Sequence, residues 1–429
     1  MVINILNTGA VCDGKTLNTR SIQAAIDACA ENGGGQVIVP AGTFVTGTIW
    51  LKSHVELHLS HGAVLKASEN MDDYNALDAY PQNYSFLPEG WVGKHLIIAV
   101  NQTDIAVTGS GILDGSAPAF LEPWKACDWS SYVWSYGCSV SADKENGRPG
   151  QLMALVECDH VRITDVTFRN TPCWACFLHG CDYAWIRGIH VKNGKHFCNS
   201  DGIDIDSCRY VTVSDCVIDT GDDAIAIRCA KQRLVKKVEA CEYITITNCV
   251  LGSCSSVFRF GVGYGTIRNV TISNINIFRG GIGIHLMTAY NKSGQVSMEN
   301  IQFRNIVADQ VSFPLQLMAC NGCFIRNVSV DGYQARGMCG SSLTAAEDSS
   351  ISNVSLRVLQ LEMMEPPFAL REDEKAERGD TVLTAENVSG LYLDRVQIRI
   401  PEEQKHKWKQ ETCFANCEQV TVRDSAITA

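Results

Sequence analysis

The sequence lacks the features that mark several large classes of protein. No apolar run among its 429 residues approaches the roughly 18 that a membrane-spanning helix needs. The first residues, MVINILNTGAVCDGKTLN, contain no basic segment followed by a long apolar one, so we expect no secretory signal. Its 36 basic residues are outnumbered by 47 acidic ones, and the net charge of −11 argues against nucleic acid. Neither a nucleic acid nor a membrane is therefore an expected partner.

Proline is scarce, with 11 residues, whereas cysteine is abundant, with 20. Many cysteines indicate a disulfide framework in short secreted chains. Because this chain is long and shows no signal, we expect reduced thiols and a cytoplasmic protein instead. The pairs Cys173/Cys176 and Cys320/Cys323 have the CxxC spacing of redox or zinc sites, but neither lies in a β-α-β context. The sequence therefore predicts no metal site there.

A short pattern of alternating apolar residues recurs through most of the chain. It reads VRITDVTF from Val161 and VTVSDCVI from Val211, and further copies start at Leu57, Ile105, Ala184, Ile244, Val270, Ile301, Val328, Val354, Leu391 and Val420. Short β-branched strands at a period of roughly 20 to 40 residues indicate a β-solenoid rather than a sandwich. The length would allow two or three domains, but one solenoid domain over residues 1–429 explains it better.

Five cysteines follow the same period, since each lies three residues before a copy of the pattern. They are Cys158, Cys181, Cys208, Cys241 and Cys417. Cysteine is small and readily buried, so we expect these residues to stack from one coil of the solenoid to the next.

The N-terminal segment has a different periodicity, which predicts a helix within residues 18–32. Asn18 or Thr19 is suited to cap its first turn, and apolar residues recur at helical spacing at Ile22, Ala25, Ile26 and Cys29. The open end of a solenoid needs a cover, which this helix can provide. Two segments interrupt the pattern, an aromatic-rich insert over residues 113–150 and a charged loop over residues 365–380. Long inserts in solenoids form surface loops, often on the binding face.

Two adjoining copies carry a concentration of acidic residues, NSDGIDIDSC from Asn199 and DTGDDAIAIRC from Asp219. When their apolar Ile pairs are aligned, Asp201 falls beside Asp223, and Asp222 is adjacent. Neighbouring strands are about 4.8 Å apart, so the three carboxylates should crowd together. Like charges so close keep a proton available near neutral pH, which acid/base cleavage of a glycosidic bond requires. The alternative is that these are ordinary Asp-rich turns without a function.

Extending the same alignment to the next two coils brings further polar residues to one outward face. Phe258 and Phe260 take the apolar places of SSVFRFG, and GGIGIHL then places His285 in the column of Arg228. The face predicted beside the aspartates carries Asp204, Asp206, Arg228, Arg259 and His285. An alternative stays open for each of two residues. For Arg228 it is a pairing with Asp206 across the coils alone, and for His285 it is an ordinary surface position.

These residues resemble glycoside hydrolase family 28, the group of polygalacturonases and rhamnogalacturonases. The segment from TRSIQAAIDACAENGGGQVIVPAGTF to GAVLKAS is similar to the usual opening of the family, NSDGIDI resembles its Asn-Thr-Asp motif and TGDDAIAI its Gly-Asp-Asp motif. The resemblance implies an all-β fold, a right-handed parallel β-helix, and hydrolysis with inversion without metal or cofactor. It implies that Asp222 is the general acid, that Asp201 and Asp223 activate water, and that Asn199 contacts substrate.

Two departures separate the chain from ordinary polygalacturonases. The Gly-His-Gly motif is replaced by Ser255–Val257, and the Arg-Ile-Lys motif that holds the substrate carboxylate is replaced by Gly283–His285. Rhamnogalacturonases also lack that histidine, and many bacterial relatives carry a Ser-Ser-x-x-Lys version, with Arg259 at the Lys place. Arg259, Arg228 and Arg148 are thus candidates to bind a uronate, because Arg suits bidentate carboxylate recognition.

The aromatic insert suggests a further contact with sugar. Trp124 and Trp129 belong to a dense group of aromatic residues whose faces could stack on sugar rings, although a loop that packs its own small core is the alternative. A long loop beside the groove would close one end and favour action from a chain end. The net negative charge disfavours attraction of long polyanions.

We therefore expect an inverting, exo-acting hydrolase of pectin-type oligosaccharides, derived from galacturonan or rhamnogalacturonan. Alternatives are a β-helix enzyme for a non-pectic oligosaccharide, a polysaccharide lyase or epimerase, and a non-catalytic carbohydrate-binding solenoid. A homo-oligomer is also an open alternative, because a solenoid end can be covered by a partner.

Overall fold

The computed structural model describes residues 1–123, 138–140, 147–193, 197–290, 294–365 and 379–427. The packing divides the chain into two compact units. The first comprises the described parts of residues 1–125, 136–222 and 233–238, and the second those of residues 223–232 and 239–429. One domain over residues 1–429 thus stays a prediction. In the described part of the chain, no helix has the length and apolar character needed to cross a membrane.

The first unit contains one α-helix, α1 (Thr19–Glu31), among many short strands. These are β1 (Val2–Asn4), β2 (Asp13–Leu17), β3 (Gly35–Val39), β4 (Gly42–Thr46), β5 (Ile49–Trp50), β6 (Val55–Leu59), β7 (Ala63–Ala67), β8 (Trp91–Val92), β9 (Ile97–Val100), β10 (Thr103–Gly109), β11 (Ile112–Asp114), β12 (Leu121–Pro123), β13 (Cys138–Val140), β14 (Arg148–Pro149), β15 (Met153–Val156), β16 (Asp159–Thr164), β17 (Thr167–Arg169), β18 (Cys176–His179), β19 (Asp182–Arg187), β20 (His190–Lys192), β21 (Ile203–Asp206), β22 (Arg209–Ser214) and β23 (Val217–Asp219).

The second unit has longer strands. They are β24 (Ile225–Cys229), β25 (Cys241–Gly252), β26 (Ser256–Met287), β27 (Gln295–Ala319), β28 (Phe324–Gly337), β29 (Ser341–Ala345), β30 (Ser350–Met363), β31 (Thr381–Glu386), β32 (Val388–Asp394), β33 (Gln397–Arg399), β34 (Gln410–Ala415) and β35 (Thr421–Arg423). Short 3-10 helices occupy Ile5–Thr8, Met71–Asp73, Leu87–Glu89, Ala117–Ala119, Lys231–Arg233 and Glu402–Lys407.

The predicted repeat corresponds to parallel strands stacked in register. In the first unit Ile105 of β10 pairs with Val161 of β16, which pairs with Ala184 of β19 and through it with Val211 of β22. In the second unit one ladder joins the copies that start at Val270, Ile301, Val328, Val354 and Leu391. Alternate residues of these strands are buried, as a coil around an apolar core requires. The predicted parallel β-helix is thereby confirmed.

The register predicted for one weaker copy is wrong. Leu57 of β6 pairs with Val107 rather than with Ile105, so the copy begins two residues earlier, at Val55. Val55, Leu57 and Leu59 are all buried on the same side of the strand. Alternation therefore identifies the buried face but leaves two registers that bury equally apolar residues.

The N-terminal helix is confirmed, including its buried face, which consists of Ile22, Ala25, Ile26 and Cys29. Asn18 occupies the N-cap position, as predicted, but neither candidate side chain bonds to the free N–H groups of the first turn. The Asn18 side-chain oxygen accepts the N–H of Val11 at 2.7 Å, and the Thr19 hydroxyl accepts the N–H of Gly47 at 2.8 Å. Both side chains instead join the start of the helix to neighbouring turns.

The cysteine column is confirmed in the first unit. Cys158, Cys181 and Cys208 are buried in consecutive coils, where the Sγ of Cys181 donates to the carbonyl oxygen of Leu155 at 3.2 Å. Burial raises the pKa of Cys181 well above its usual range, so the thiol keeps its proton for this bond. Burial also raises the pKa of Cys173 to about 12, which disfavours a reactive thiolate in that CxxC pair.

We expect the stability of the protein to fall with acidification because of His95. This imidazole is buried, its Nδ1 lies 2.8 Å from the carbonyl oxygen of Gln151, and burial lowers its pKa to about 4. Between that value and about 6.5, the unfolded chain binds the proton and the folded chain does not. The free energy of unfolding should therefore decrease by roughly 2 kcal/mol from pH 6.5 to pH 5 through His95 alone.

Urea denaturation at these two pH values measures the effect. The variant His95→Gln should lose that part of the pH dependence, whereas the matched change of the exposed His61 to Gln should retain it. Equal pH dependence in all three proteins would contradict the assignment.

Candidate active site

Asp201 and Asp222 meet in the first unit, at the ends of turns that connect its strands. Asp201 lies just before β21 and Asp222 follows β23, and both side chains are buried. Their carboxylates bring oxygen atoms within 4.8 Å of each other, and Asp223, joined to Asp222 by the peptide bond, contributes an oxygen within the same distance. The predicted crowding of the three carboxylates is confirmed. A carboxylic acid beside a carboxylate can supply both the proton and the base for bond cleavage.

The same three carboxylates have the spacing of a cation site. Within the described ranges no other group of three or more His, Cys, Asp or Glu residues does. Hydrolysis through two carboxylates needs no ion.

Asn199 holds the side chain of Asp222 in place. Its backbone N–H donates to Oδ2 of Asp222 at 3.0 Å, and its φ of 51° lies in the left-handed region that Asn tolerates. Its side chain is held on both sides. Oδ1 accepts a hydrogen bond from Arg148 at 2.6 Å, and Nδ2 donates to Oε2 of Glu89 at 3.0 Å. The predicted contact of Asn199 with substrate stays a prediction.

Arg148, which donates to this asparagine, is completely buried on β14, which pairs with β8. Its guanidinium also donates to the carbonyl oxygen of Pro172 and, at 3.1 Å, to that of Glu89. These contacts with the protein itself make Arg148 a positioning residue for Asn199, and its predicted contact with a uronate stays a prediction.

Sequence reasoning missed Glu89. Its carboxylate accepts from the indole Nε1 of Trp91 at 3.2 Å in addition to Asn199. It lies in the segment LPEG, which belongs to no copy of the repeat, so no periodic signal connects it to an asparagine 110 positions later.

Asp204 and Asp206 lie on β21 as predicted, but their expected exposure is wrong. Asp204 lies beside Phe177 of β18, Asp206 lies beside His179, and both carboxylates are buried. Phe177 is part of a buried cluster with Trp91 and Trp174, and the ring centroids of Trp174 and Phe177 are 5.2 Å apart. Strand alternation assigns a residue to a face but does not reveal whether that face is exposed. The predicted contact of both aspartates with substrate stays a prediction.

In the second unit Asp223 is held by the start of β26. Its Oδ1 accepts the backbone N–H of Ser256 at 2.8 Å. The neighbouring ladder has the predicted register, with Ile225 beside Phe258 and Ile227 beside Phe260. Between Ile227 and Cys229 the pairing of β24 with β26 shifts by one residue. The half-buried Arg228 lies at this shift. The predicted role of Arg228 stays a prediction.

The predicted register of His285 is wrong by two residues. The N–H of Ile282 donates to the carbonyl oxygen of Ser255 at 3.0 Å, which in a parallel ladder places His285 beside Arg259 rather than beside Gly261. The segment GIGIHL has three alternating apolar residues, so either offset buries two of them against the previous coil. His285 is consequently buried and next to Arg259, and it is not an ordinary surface residue.

Arg259, His285 and Ser256 form a compact polar group, called here the arginine cluster. Nδ1 of His285 lies 2.8 Å from Nη1 of Arg259 and 2.9 Å from the hydroxyl of Ser256. Because arginine only donates, Nδ1 is the acceptor, and the proton of the neutral imidazole is on Nε2. Burial and the charge of Arg259 lower the pKa of His285 well below its usual value, so the ring is neutral.

The charge of Arg259 faces the ring of Tyr290, whose centroid is 5.1 Å from its Cζ, but no carboxylate of the described residues. The side chain is 94% buried, since only 6% of it is exposed, and its Nη2 has no hydrogen-bond partner in the described part of the chain. Across the same residues no carboxylate lies within ion-pair distance of it. A buried cation without a counter-ion is costly. The arginine cluster therefore has the charge and the free donor that an anionic group requires.

Two further predictions fall on residues that are not described. Trp124 and Trp129 of the aromatic insert lie outside the described residues, as do residues 366–378 of the predicted charged loop.

The stacked coils and the clustered aspartates define a parallel β-helix with the carboxylate chemistry of a glycosidase. The chain matches the description of glycosyl hydrolases family 28 over residues 29–321, and it belongs to that family. Among solved structures it resembles the family 28 exopolygalacturonase of Yersinia enterocolitica, with a TM-score of 0.76 at 21% identity over 99% of this chain and 78% of the other. The exopolygalacturonase of Thermotoga maritima matches with a TM-score of 0.66 at 24% identity over 85% and 88%. The predicted right-handed β-helix is confirmed by these neighbours.

Similar sequences carry names from the same group. An exo-poly-alpha-D-galacturonosidase of Dickeya chrysanthemi is 32% identical over 255 residues, which is 52% of this chain and 41% of the relative. A probable polygalacturonase of Vitis vinifera is 30% identical over 231 residues, 52% of this chain and 44% of the relative. The chain thus spans less than half the length of these curated relatives.

Proposed function

We propose that the protein hydrolyses pectin-type oligosaccharides from a chain end, at a bond next to a uronate, with inversion of the anomeric centre. The arginine cluster carries this proposal. Arg259 is a buried cation that lacks a carboxylate partner among the described residues, and its neighbour Ser256 bonds to Asp223. A uronate carboxylate would supply the missing anion close to the acid/base group. The names of the two curated relatives support the same substrate class, and that of the Dickeya chrysanthemi relative also supports action from a chain end.

The roles of the carboxylates are proposed on the resemblance to family 28. Asp222, fixed by the N–H of Asn199, protonates the leaving oxygen, while Asp201 and Asp223 activate the attacking water. Inversion is proposed on the family and not on the geometry. The closest oxygens lie within 4.8 Å, whereas inverting pairs are usually about 6.5–9.5 Å apart. The anomer of the product is therefore a decisive observation.

The test is incubation of the purified protein with oligogalacturonides and rhamnogalacturonan oligosaccharides. We expect mass spectrometry to detect one sugar residue released at a time, and NMR of the first product to detect the anomer opposite to that of the substrate. A retained anomer would refute inversion, and products from internal cleavage would refute action from an end. An unsaturated product, formed only without chelator, would indicate a calcium-dependent lyase.

We also propose that the protein is cytoplasmic, which its cysteine-rich sequence supports. Fractionation of the producing cells would test the location, and recovery with extracellular proteins would contradict it.

A further inference from the structure

A small cavity, called here the distal cavity, lies in the second unit. It has a volume of about 160 Å³ and is lined by Phe313, Gln316, Ser342, Asp380, Thr381 and Thr384, among others. Sites for drug-sized ligands are typically about 300–1,000 Å³, so this cavity suits a single sugar residue.

The distal cavity continues the strand positions that carry the arginine cluster. His285 of β26 lies beside Gln316 of β27, Gln316 beside Ser342 of β29, and Ser342 beside Thr384 of β31. Each step between neighbouring strands is about 4.8 Å, so Ser342 lies roughly 10 Å from His285 along the sheet. Phe313, which lines the cavity, lies beside Ile282, and both belong to one cluster of buried apolar residues.

The chemistry of this column differs from that of other surfaces of the same unit. Elsewhere, neighbouring coils are joined by ion pairs such as Arg268 with Glu242 at 2.6 Å and Arg326 with Glu299. The column of Gln316, Ser342 and Thr384 is uncharged. Within the described chain, the side chains of Gln316 and Ser342 make no hydrogen bond, although both are half-buried. Their donors and acceptors are thus available to a ligand.

The charge at the distal cavity argues against an anion. No basic residue is among those that line it in the described part of the chain, and its one charged residue is Asp380, which pairs with Lys409 at the surface. Because Lys409 is already paired with Asp380, the described lining offers no cation of its own to a uronate. An uncharged sugar needs only hydroxyl and amide partners, which the cavity offers.

We propose that the distal cavity binds an uncharged sugar residue, or an esterified uronate, of the same oligosaccharide whose acidic residue occupies the arginine cluster. The proposal rests on the proposed function and adds to it that the substrate is mixed, with an acidic residue near Asp223 and a neutral one roughly 10 Å beyond His285. Binding there makes longer mixed oligosaccharides better substrates than short ones.

The test compares kcat/KM across two series of oligosaccharides from two to six residues, one fully acidic and one with neutral sugars at alternate positions. In the wild-type protein, kcat/KM should rise about tenfold with length in the mixed series, as two or three new hydrogen bonds would produce. Ser342→Phe, which fills the cavity, should abolish the rise and leave the disaccharide within twofold. Gln316→Ala should reduce the rise without adding bulk.

Ser329→Phe is the matched control, since Ser329 is a half-buried serine on β28 outside the cavity. It should leave the rise intact. A rise that persists in Ser342→Phe and in Gln316→Ala overturns the site, and an equal rise in the fully acidic series overturns the uncharged class. If the wild-type protein turned over none of the oligosaccharides, that result would contradict the proposed function instead. Calorimetry with the same two series would then still test the cavity, and equal affinity of wild type and Ser342→Phe would overturn it.

Discussion

Replacing Asp222 with Asn should lower kcat by about 10²- to 10⁴-fold, the contribution of a positioned general acid. The Asn side chain has the same size, and its oxygen can still accept the N–H of Asn199, so the fold should persist. The loss should depend on the leaving group. A glycoside whose leaving group needs no proton should be cleaved by Asp222→Asn far better than the natural oligosaccharide.

Asp201→Asn is the informative comparison, because a residue that activates water is needed for both substrates. It should lower kcat for both by similar factors. Asp215→Asn removes an exposed carboxylate of the same unit and should leave kcat unchanged. Equal losses for the two substrates in Asp222→Asn would reject it as the acid, and normal turnover would reject the site altogether.

Replacing Arg259 with Met should lower kcat/KM for acidic oligosaccharides by about 30- to 5,000-fold, since removal of one partner of a buried charge pair costs roughly 2–5 kcal/mol. The loss should be much smaller for the methyl-esterified form of the same substrate, which lacks the charge. The ratio of kcat/KM for the two forms therefore isolates recognition of the carboxylate from any general effect. The free protein should not be destabilised, because an uncompensated buried charge is removed.

Two controls complete this prediction. Arg304→Met removes an exposed arginine of the same unit and should not change the ratio. Arg259→Lys keeps the charge but loses the forked donors, so it should restore only part of the activity. If Arg259→Met impaired the acidic and the esterified substrate equally, the arginine would have a structural role and the proposed uronate contact would be wrong.

Local sequence patterns were sufficient wherever the structure repeats. The alternation of apolar residues predicted the stacked coils, and the helical spacing from Ile22 to Cys29 predicted the buried face of α1. The aspartates could be grouped because Asp222 and Asp223 are neighbours in the chain and Asp201 lies at the same place one coil earlier.

Prediction failed where several registers satisfy the same pattern or where distant segments meet. The predicted register of His285 was wrong by two residues because Ile282, Ile284 and Leu286 all suit the apolar places. Alternation has a period of two, so an error of two residues preserves every buried position. The bond from Asn199 to Glu89 depends on a loop that no repeat connects to the site, and alternation along β21 gives no signal for the burial of Asp204.

The sequence by itself thus determined the β-helix, its N-terminal helix and the group of three aspartates, because each depends on short-range periodicity. Only the tertiary structure decided that His285 lies against Arg259, that Arg148 bonds to Asn199, and that an uncharged column leads from His285 to the distal cavity. These arrangements depend on register and on contacts between residues far apart in the chain. Both are selected by the packing of whole coils, and no local pattern encodes them.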